Sequence, residues 1–217
     1  MIIMKIDFGS FFQERGIEAF GFVKLHTIQD IPFAFPAIPK NFLQEYKNAI
    51  LFGVPFHFLG KTATGDETAL FLEKTAKEIV EKLEHHHQNG LIIHTDDEFD
   101  PVNRLGFISL KMLARLAGLG WQGRSLLIIS PTHGPLHRLI AVLTNIPVPD
   151  SRPLSNQCGR CTLCIDACPE QALTAQTFQD HPRSREDVLA VAQCRGDFGC
   201  TVCIEACPYF QKRKAEA

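Results

Sequence analysis

The sequence predicts an α/β domain over residues 1–150 and a small cysteine-rich domain over residues 151–217. Three observations carry that prediction. Helical and strand-like apolar patterns follow one another up to about residue 145. A stretch with Pro147, Pro149 and Pro153 then interrupts regular structure, and all eight cysteines lie beyond it, between Cys158 and Cys207. The chain has 217 residues, 45% of them hydrophobic and 21% charged, which is ordinary for a globular protein with one sizeable core and an appendage. Its formal net charge of −2 supplies no general attraction for nucleic acid. No apolar run approaches the roughly 20 residues needed to cross a bilayer, and the mixed stretch Met1–Phe12 does not read as a secretion leader, so a reducing cytoplasm is expected.

The first domain begins with a short helix that Asp7 caps, with Phe8, Phe11 and Phe12 on its buried side and Gly16 as its stop. Residues 19–25 read as a strand, residues 31–39 as a proline-bearing loop, residues 41–46 as a short helix and residues 49–56 as a fully buried strand. Asp66 is the expected cap of the longest helix, running to about His86 with Leu70, Phe71, Ala76, Ile79, Val80 and Leu83 giving the period. Gly90 ends it and residues 91–94 return as a strand. A helix over 107–117, a strand over 126–130, a turn over 131–135 and a strand over 138–145 complete the domain. In the second domain, short helical turns are expected at 162–167 and 202–206, and a helix capped by Ser184 at 184–192. The histidines His85, His86 and His87 do not form a metal site, because successive helical positions diverge by about 100°.

Cys158, Cys161, Cys164 and Cys168 form the run C-x2-C-x2-C-x3-C followed by Pro169, and Cys194, Cys200, Cys203 and Cys207 follow, the last before Pro208. Two-residue gaps let successive thiolates converge on one iron–sulfur cube, and in two-cluster proteins the fourth cysteine of such a run serves the other cluster. On that rule Cys158, Cys161, Cys164 and Cys207 hold one [4Fe–4S] cluster and Cys168, Cys194, Cys200 and Cys203 the second. A structural zinc site would leave four of the thiols without a role. The strings Cys161-Thr-Leu-Cys-Ile-Asp-Ala-Cys-Pro169 and Cys200-Thr-Val-Cys-Ile-Glu-Ala-Cys-Pro208 are near copies, so the domain is expected to be pseudo-twofold and similar to a small bacterial ferredoxin.

Gly118-Leu-Gly-Trp-Gln-Gly123 matches G-x-G-x-x-G, but the dinucleotide motif must follow a strand and open a helix. Here a helix precedes and a strand follows. What remains is a glycine loop built for close approach, either to a bound cofactor or to a neighbouring element.

The run Ala117-Gly-Leu-Gly-Trp-Gln-Gly-Arg-Ser-Leu-Leu-Ile128, followed by Leu143-Thr144 and the double cysteine motif, resembles the epoxyqueuosine reductase family of cobalamin-dependent tRNA-modifying enzymes. It is more similar still to that family's shorter relatives, in which Lys111 precedes the glycine loop and Ser130-Pro131 and Gly134-Pro135 follow. The resemblance covers about residues 105–208. It implies a nitroreductase-like α/β domain that seats a corrinoid and a 2[4Fe–4S] domain beside it. On this resemblance Gly118, Gly120, Trp121 and Gly123 shape the seat, with Lys111 and Arg124 as partners for anionic groups.

The departures bear on catalysis. Arg104 stands where the family's proton-donating aspartate would fall, and Leu110-Lys111 where an acidic–basic pair would sit. Asp100 and Asp97, in the acidic stretch before it, are the candidates for a displaced donor. The family's C-terminal helical repeats have no counterpart, and tRNA is not expected as a partner. The expected function is relay of electrons from a low-potential donor of ferredoxin or flavodoxin type, through two clusters, to a corrinoid or small-molecule substrate. A non-catalytic electron-transfer protein and a corrinoid-reactivating protein are the alternatives.

Overall fold

The computed structural model describes residues 6–28, 45–94, 108–174, 186–196 and 199–216, with side chains as far as Lys212. Its frame is one antiparallel sheet of β1 (Ala19–Lys24), β2 (Asn48–Pro55), β3 (Gly90–Ile93), β4 (Trp121–Gln122), β5 (Ile128–Ser130) and β6 (Gly134–Thr144). The order is β1-β2-β6-β5-β4, and β3 also pairs with β6. Because β2 occupies one edge of β6 from Leu136 to Thr144, β5 and β3 share the other edge, at its start and at its end.

Strand β2 is buried at all eight positions. Both faces of the sheet are covered there, which is why its sequence is a continuous apolar run instead of an alternation. On one face, Ile50, Phe52, Ile140 and Val142 pack with Phe12 of helix α1 (Phe8–Gln13) and with Leu72, Ile79 and Leu83 of helix α2 (Gly65–Glu84). On the other, Ala49, Leu51, Ala141 and Leu143 pack with Leu113 and Ala114 of helix α3 (Leu110–Leu116). The phenylalanine-rich start is part of this core, since Phe12 stacks on Phe20 at 4.6 Å and contacts Phe52 at 4.9 Å. Arg15 pairs with Glu78, tying the end of α1 to α2.

Helix α2 starts two residues earlier than Asp66 would place it. Thr64 is the cap, its hydroxyl accepting from the Glu67 N–H while the Glu67 carboxylate accepts from the Thr64 N–H, a reciprocal box that satisfies two donors. The buried face carries Thr68, Leu72, Thr75, Ala76, Ile79 and Leu83, and Leu70 lies outside it, 65% exposed. Strand β6 begins at Gly134 and not at 138, because residues 134–136 pair with β5 in a tight hairpin that the flanking Pro131 and Pro135 conceal in the sequence. Leu126 adopts a left-handed φ of 60°, so β5 starts only at Ile128.

Downstream come α4 (Leu163–Asp166), α5 (Val202–Glu205) and α6 (Pro208–Glu216). Residues 186–192 are not helical, contrary to the expectation for 184–192. Ala190 donates to Ala172 and Thr174 to Val188, forming a short antiparallel bridge between Leu173 and Leu189 that turns Val188 onto Leu126. Asp97, Asp100, Arg104, the loop at 31–39 and most of the helix expected at 41–46 lie outside the described residues. No described helix is long and apolar enough to cross a membrane.

Candidate iron–sulfur centre

The two cysteine motifs fold alike in detail. Thr162 and Thr201 precede α4 and α5 with φ,ψ of −121°, 6° and −120°, 6°. Each hydroxyl donates to the acid four residues on, Asp166 at 2.7 Å and Glu205 at 2.6 Å. Each turn then closes on its last cysteine, Cys168 donating to Ile165 and Cys207 to Ile204, both at 3.1 Å. The motifs diverge at their start. Cys161 donates to the Cys158 carbonyl, whereas Cys200 donates to Arg195, because five residues lie between Cys194 and Cys200 where two lie between Cys158 and Cys161. Arg195 also pairs with Glu170 at 2.9 Å, linking the halves.

The eight thiols are free and partly buried, and they act on one another electrostatically. Burial, then Cys158, Cys203, Cys161 and Cys207, push the Cys164 thiol up to about 12. Burial, then Cys194, Cys200 and Cys168, push Cys203 up to about 11. Burial also raises Cys207, with the Tyr209 and Phe210 N–H groups opposing and Cys158 and Cys161 reinforcing. Thiols crowded in this way carry charge only when a cation shares it, which suits a group that presents a separate iron to each sulfur.

The first motif is seated on the glycine loop. Trp121, 1% exposed, donates from Nε1 to Cys158 Sγ at 3.5 Å and packs edge-on against Tyr209 with ring centroids 4.9 Å apart. Arg124, 5% exposed, donates to the Gly159 carbonyl. Asn156 donates to the Gln122 carbonyl and accepts from the Cys158 N–H at 2.8 Å. The glycines permit this closeness. A β-carbon at Gly118, where φ is 76°, would lie 2.8 Å from the Arg152 carbonyl oxygen, one at Gly120 would overlap the Ile129 carbonyl, and one at Gly123 would meet the Ile129 side chain. The close approach is thus to the chain's own strand β5 and to the linker into the cysteines. Lys111 stands on the first turn of α3 with its side chain exposed. His85, His86 and His87 are exposed beyond the end of α2.

Asn156 and Tyr209 are contributors that the sequence does not announce. Each acts through contacts with residues more than 30 positions away, Gln122 and Gln157 respectively, and neither belongs to a recognisable motif.

Two like cysteine turns beside an antiparallel sheet flanked by helices define an iron–sulfur protein of the two-cluster class. Residues 157–210 match the family model described as a 4Fe-4S dicluster domain. The chain resembles epoxyqueuosine reductase. It is 36% identical to the Bacillus cereus enzyme over 91 residues, 42% of this chain and 23% of that protein, and 44% identical to the Vibrio cholerae enzyme over 71 residues, 33% and 19% of the two. The aligned stretch therefore spans less than a quarter of these relatives. The fold likeness reaches further. A crystal structure of epoxyqueuosine reductase with an epoxyqueuosine-modified tRNA-Tyr stem loop matches with a TM-score of 0.65 at 19% identity, over 94% of this chain and 64% of that one. The Streptococcus thermophilus enzyme matches at 0.62 and 20%, over 96% and 67%. A B12-dependent reductive dehalogenase matches at 0.61 and 14%, over 95% and 32%. The α/β fold expected from the sequence is the one these proteins share.

Proposed function

We propose that the protein is an iron–sulfur reductase that delivers electrons through two [4Fe–4S] clusters to a corrinoid carried by its α/β domain, residues 1–150. Cys158, Cys161, Cys164 and Cys207 hold one cluster, and Cys168, Cys194, Cys200 and Cys203 hold the other. The observation that carries this reading is the seat of the first motif. Trp121 and Arg124 hold Cys158 and Gly159 against the sheet, which supports a cluster that faces the α/β domain. A freely diffusing carrier has no use for such a seat. In this reading Lys111, Gly118, Gly120, Trp121, Gly123 and Arg124 form the wall between cofactor and cluster, the glycines letting that wall pack closely on strand β5 and on the linker into the cysteines. A corrinoid supplies a cobalt centre able to accept electrons one at a time. The protein binds and orients it and sets its surroundings. Asp97 and Asp100 are the proposed proton donors.

The test is titration of the anaerobically reconstituted protein with cob(II)alamin, followed by EPR on samples of known iron content. A shift of the cobalt signal to a bound form at about two clusters per chain is expected. Coincident free and mixed spectra, with both clusters present, would overturn the corrinoid reading.

A specific observation supports the second reading, an electron-transfer protein docking a redox partner. Leu163 and Val202 occupy equivalent places in the two motifs and are 50% and 37% exposed. Apolar side chains beside clusters suit a short-lived contact with a donor of ferredoxin or flavodoxin type. The expectation against tRNA rests on net charge, on the missing repeats and on Arg104 standing in place of the proton-donating aspartate. A protein of this fold has been crystallised with a tRNA stem loop, which counts against that expectation. A modified stem loop therefore belongs among the substrates to be tried.

A further inference from the structure

Trp121 is the one tryptophan of the chain. Its ring is 1% exposed, and a buried indole N–H requires an acceptor. Among the described residues that acceptor is Cys158 Sγ, 3.5 Å away, within the range of an N–H···S bond. The ring also packs edge-on against Tyr209, whose hydroxyl donates to Gln157 at 3.2 Å, next to Cys158 in sequence. The indole is therefore fixed by packing, and its N–H cannot turn toward water.

We infer that Trp121 sets the reduction potential of the cluster ligated by Cys158, through the hydrogen bond from its indole N–H to the Cys158 thiolate. Reduction adds one electron to the cluster and increases negative charge on its sulfurs. A fixed donor aimed at one of them stabilises the reduced form more than the oxidised form, and so raises the potential. No bond forms or breaks and no proton is transferred. The glycine loop thus gains a function that its sequence pattern does not suggest. It carries the donor that favours electrons on the cluster facing the α/β domain. The inference rests on the two-cluster part of the proposed function and not on the corrinoid.

The experiment is an EPR-monitored redox titration of the reconstituted full chain. Trp121→Phe keeps an aromatic ring and removes the donor. One of the two midpoint potentials is expected to fall, by on the order of a tenfold change in the reduced-to-oxidised ratio at fixed ambient potential, about 59 mV for one electron. The other midpoint should stay in place. Because the chain has a single tryptophan, biosynthetic replacement acts at this site alone. Benzothienylalanine, with sulfur in place of the N–H, should reproduce the fall while preserving the ring shape, and it serves if Trp121→Phe loses iron. A ring-fluorinated tryptophan, a stronger N–H donor, should move the same midpoint upward. Unchanged midpoints in samples with full iron content would overturn the inference. So would equal movement of both midpoints, which marks a general loosening of the fold. A shifted midpoint in a protein that fails to bind cob(II)alamin would sustain the inference and sink the corrinoid reading alone.

Discussion

Gly120 lies against Ile129 so closely that a β-carbon would overlap the Ile129 carbonyl oxygen. Strand β4 and strand β5 pair through the adjacent Trp121 and Ile129, so backbone, and not a flexible side chain, would have to move to relieve the clash. Gly120→Ala is expected to destabilise the fold by on the order of 2–3 kcal/mol. The denaturation midpoint of the protein should fall with little change in the slope of the transition.

The position of Trp121 makes its emission a direct report of the cluster beside it. Fluorescence of the reconstituted protein should be strongly quenched, and should recover when an iron chelator strips the clusters. Emission that is the same with and without iron would contradict the placement of the indole next to Cys158.

Ligands drawn from both motifs make a distinguishing pair of variants. Cys168→Ser should lower iron content by about half and leave Trp121 quenched, since Cys168 shares its surroundings with Cys194, Cys200 and Cys203. Cys207→Ser should lose a similar amount of iron and release the emission. If each motif instead ligated its own cluster, the two fluorescence results would be exchanged.

His137 is partly buried, and burial, then Arg138 and His57, lower its pKa from 6.5 to about 4. Above pH 6.5 the imidazole is neutral whether the chain is folded or not, so it contributes no pH dependence. Between about 6.5 and 4 the unfolded chain takes up a proton that the folded chain refuses, and stability falls with pH. The loss attributable to His137 should be about 1 to 2 kcal/mol after discounting for its partial exposure. Urea unfolding at stepped pH should show a shallower decline in His137→Phe. An unchanged slope would place the effect elsewhere.

Much of the frame is legible in the sequence because it rests on local chemistry. Asp7 caps α1 and accepts from the Ser10 N–H, and the apolar run at β2 reads directly as a strand covered on both faces. The errors arise where tertiary pairing overrides local preference. Residues 186–192 carry a helix-compatible pattern, yet backbone bonds to Ala172 and Thr174 take them as a bridge. Asp66 is a good cap by type, but Thr64 has Glu67 at the spacing of a reciprocal box. In the site, the cysteine spacing announces the chemistry. The glycine loop announces only that something comes close, and its occupants, the linker at Arg152 and strand β5 at Ile129, are visible only once the chain is folded. The link from Trp121 to Cys158 spans 37 positions and leaves no local trace.

If, as proposed, Cys158 and Cys207 share one cluster and Cys168 joins Cys194, Cys200 and Cys203 on the other, the two clusters would act as overlapping crosslinks between the ends of this segment. Each closes a long loop of chain, and a crosslink over loops of this length removes on the order of 4 kcal/mol of conformational freedom from the unfolded ensemble. Iron and sulfide would then be structural staples as well as electron carriers. Oxidative loss of either cluster should open the segment from both ends, and a damaged centre becomes a site of proteolysis before it becomes merely an inactive one.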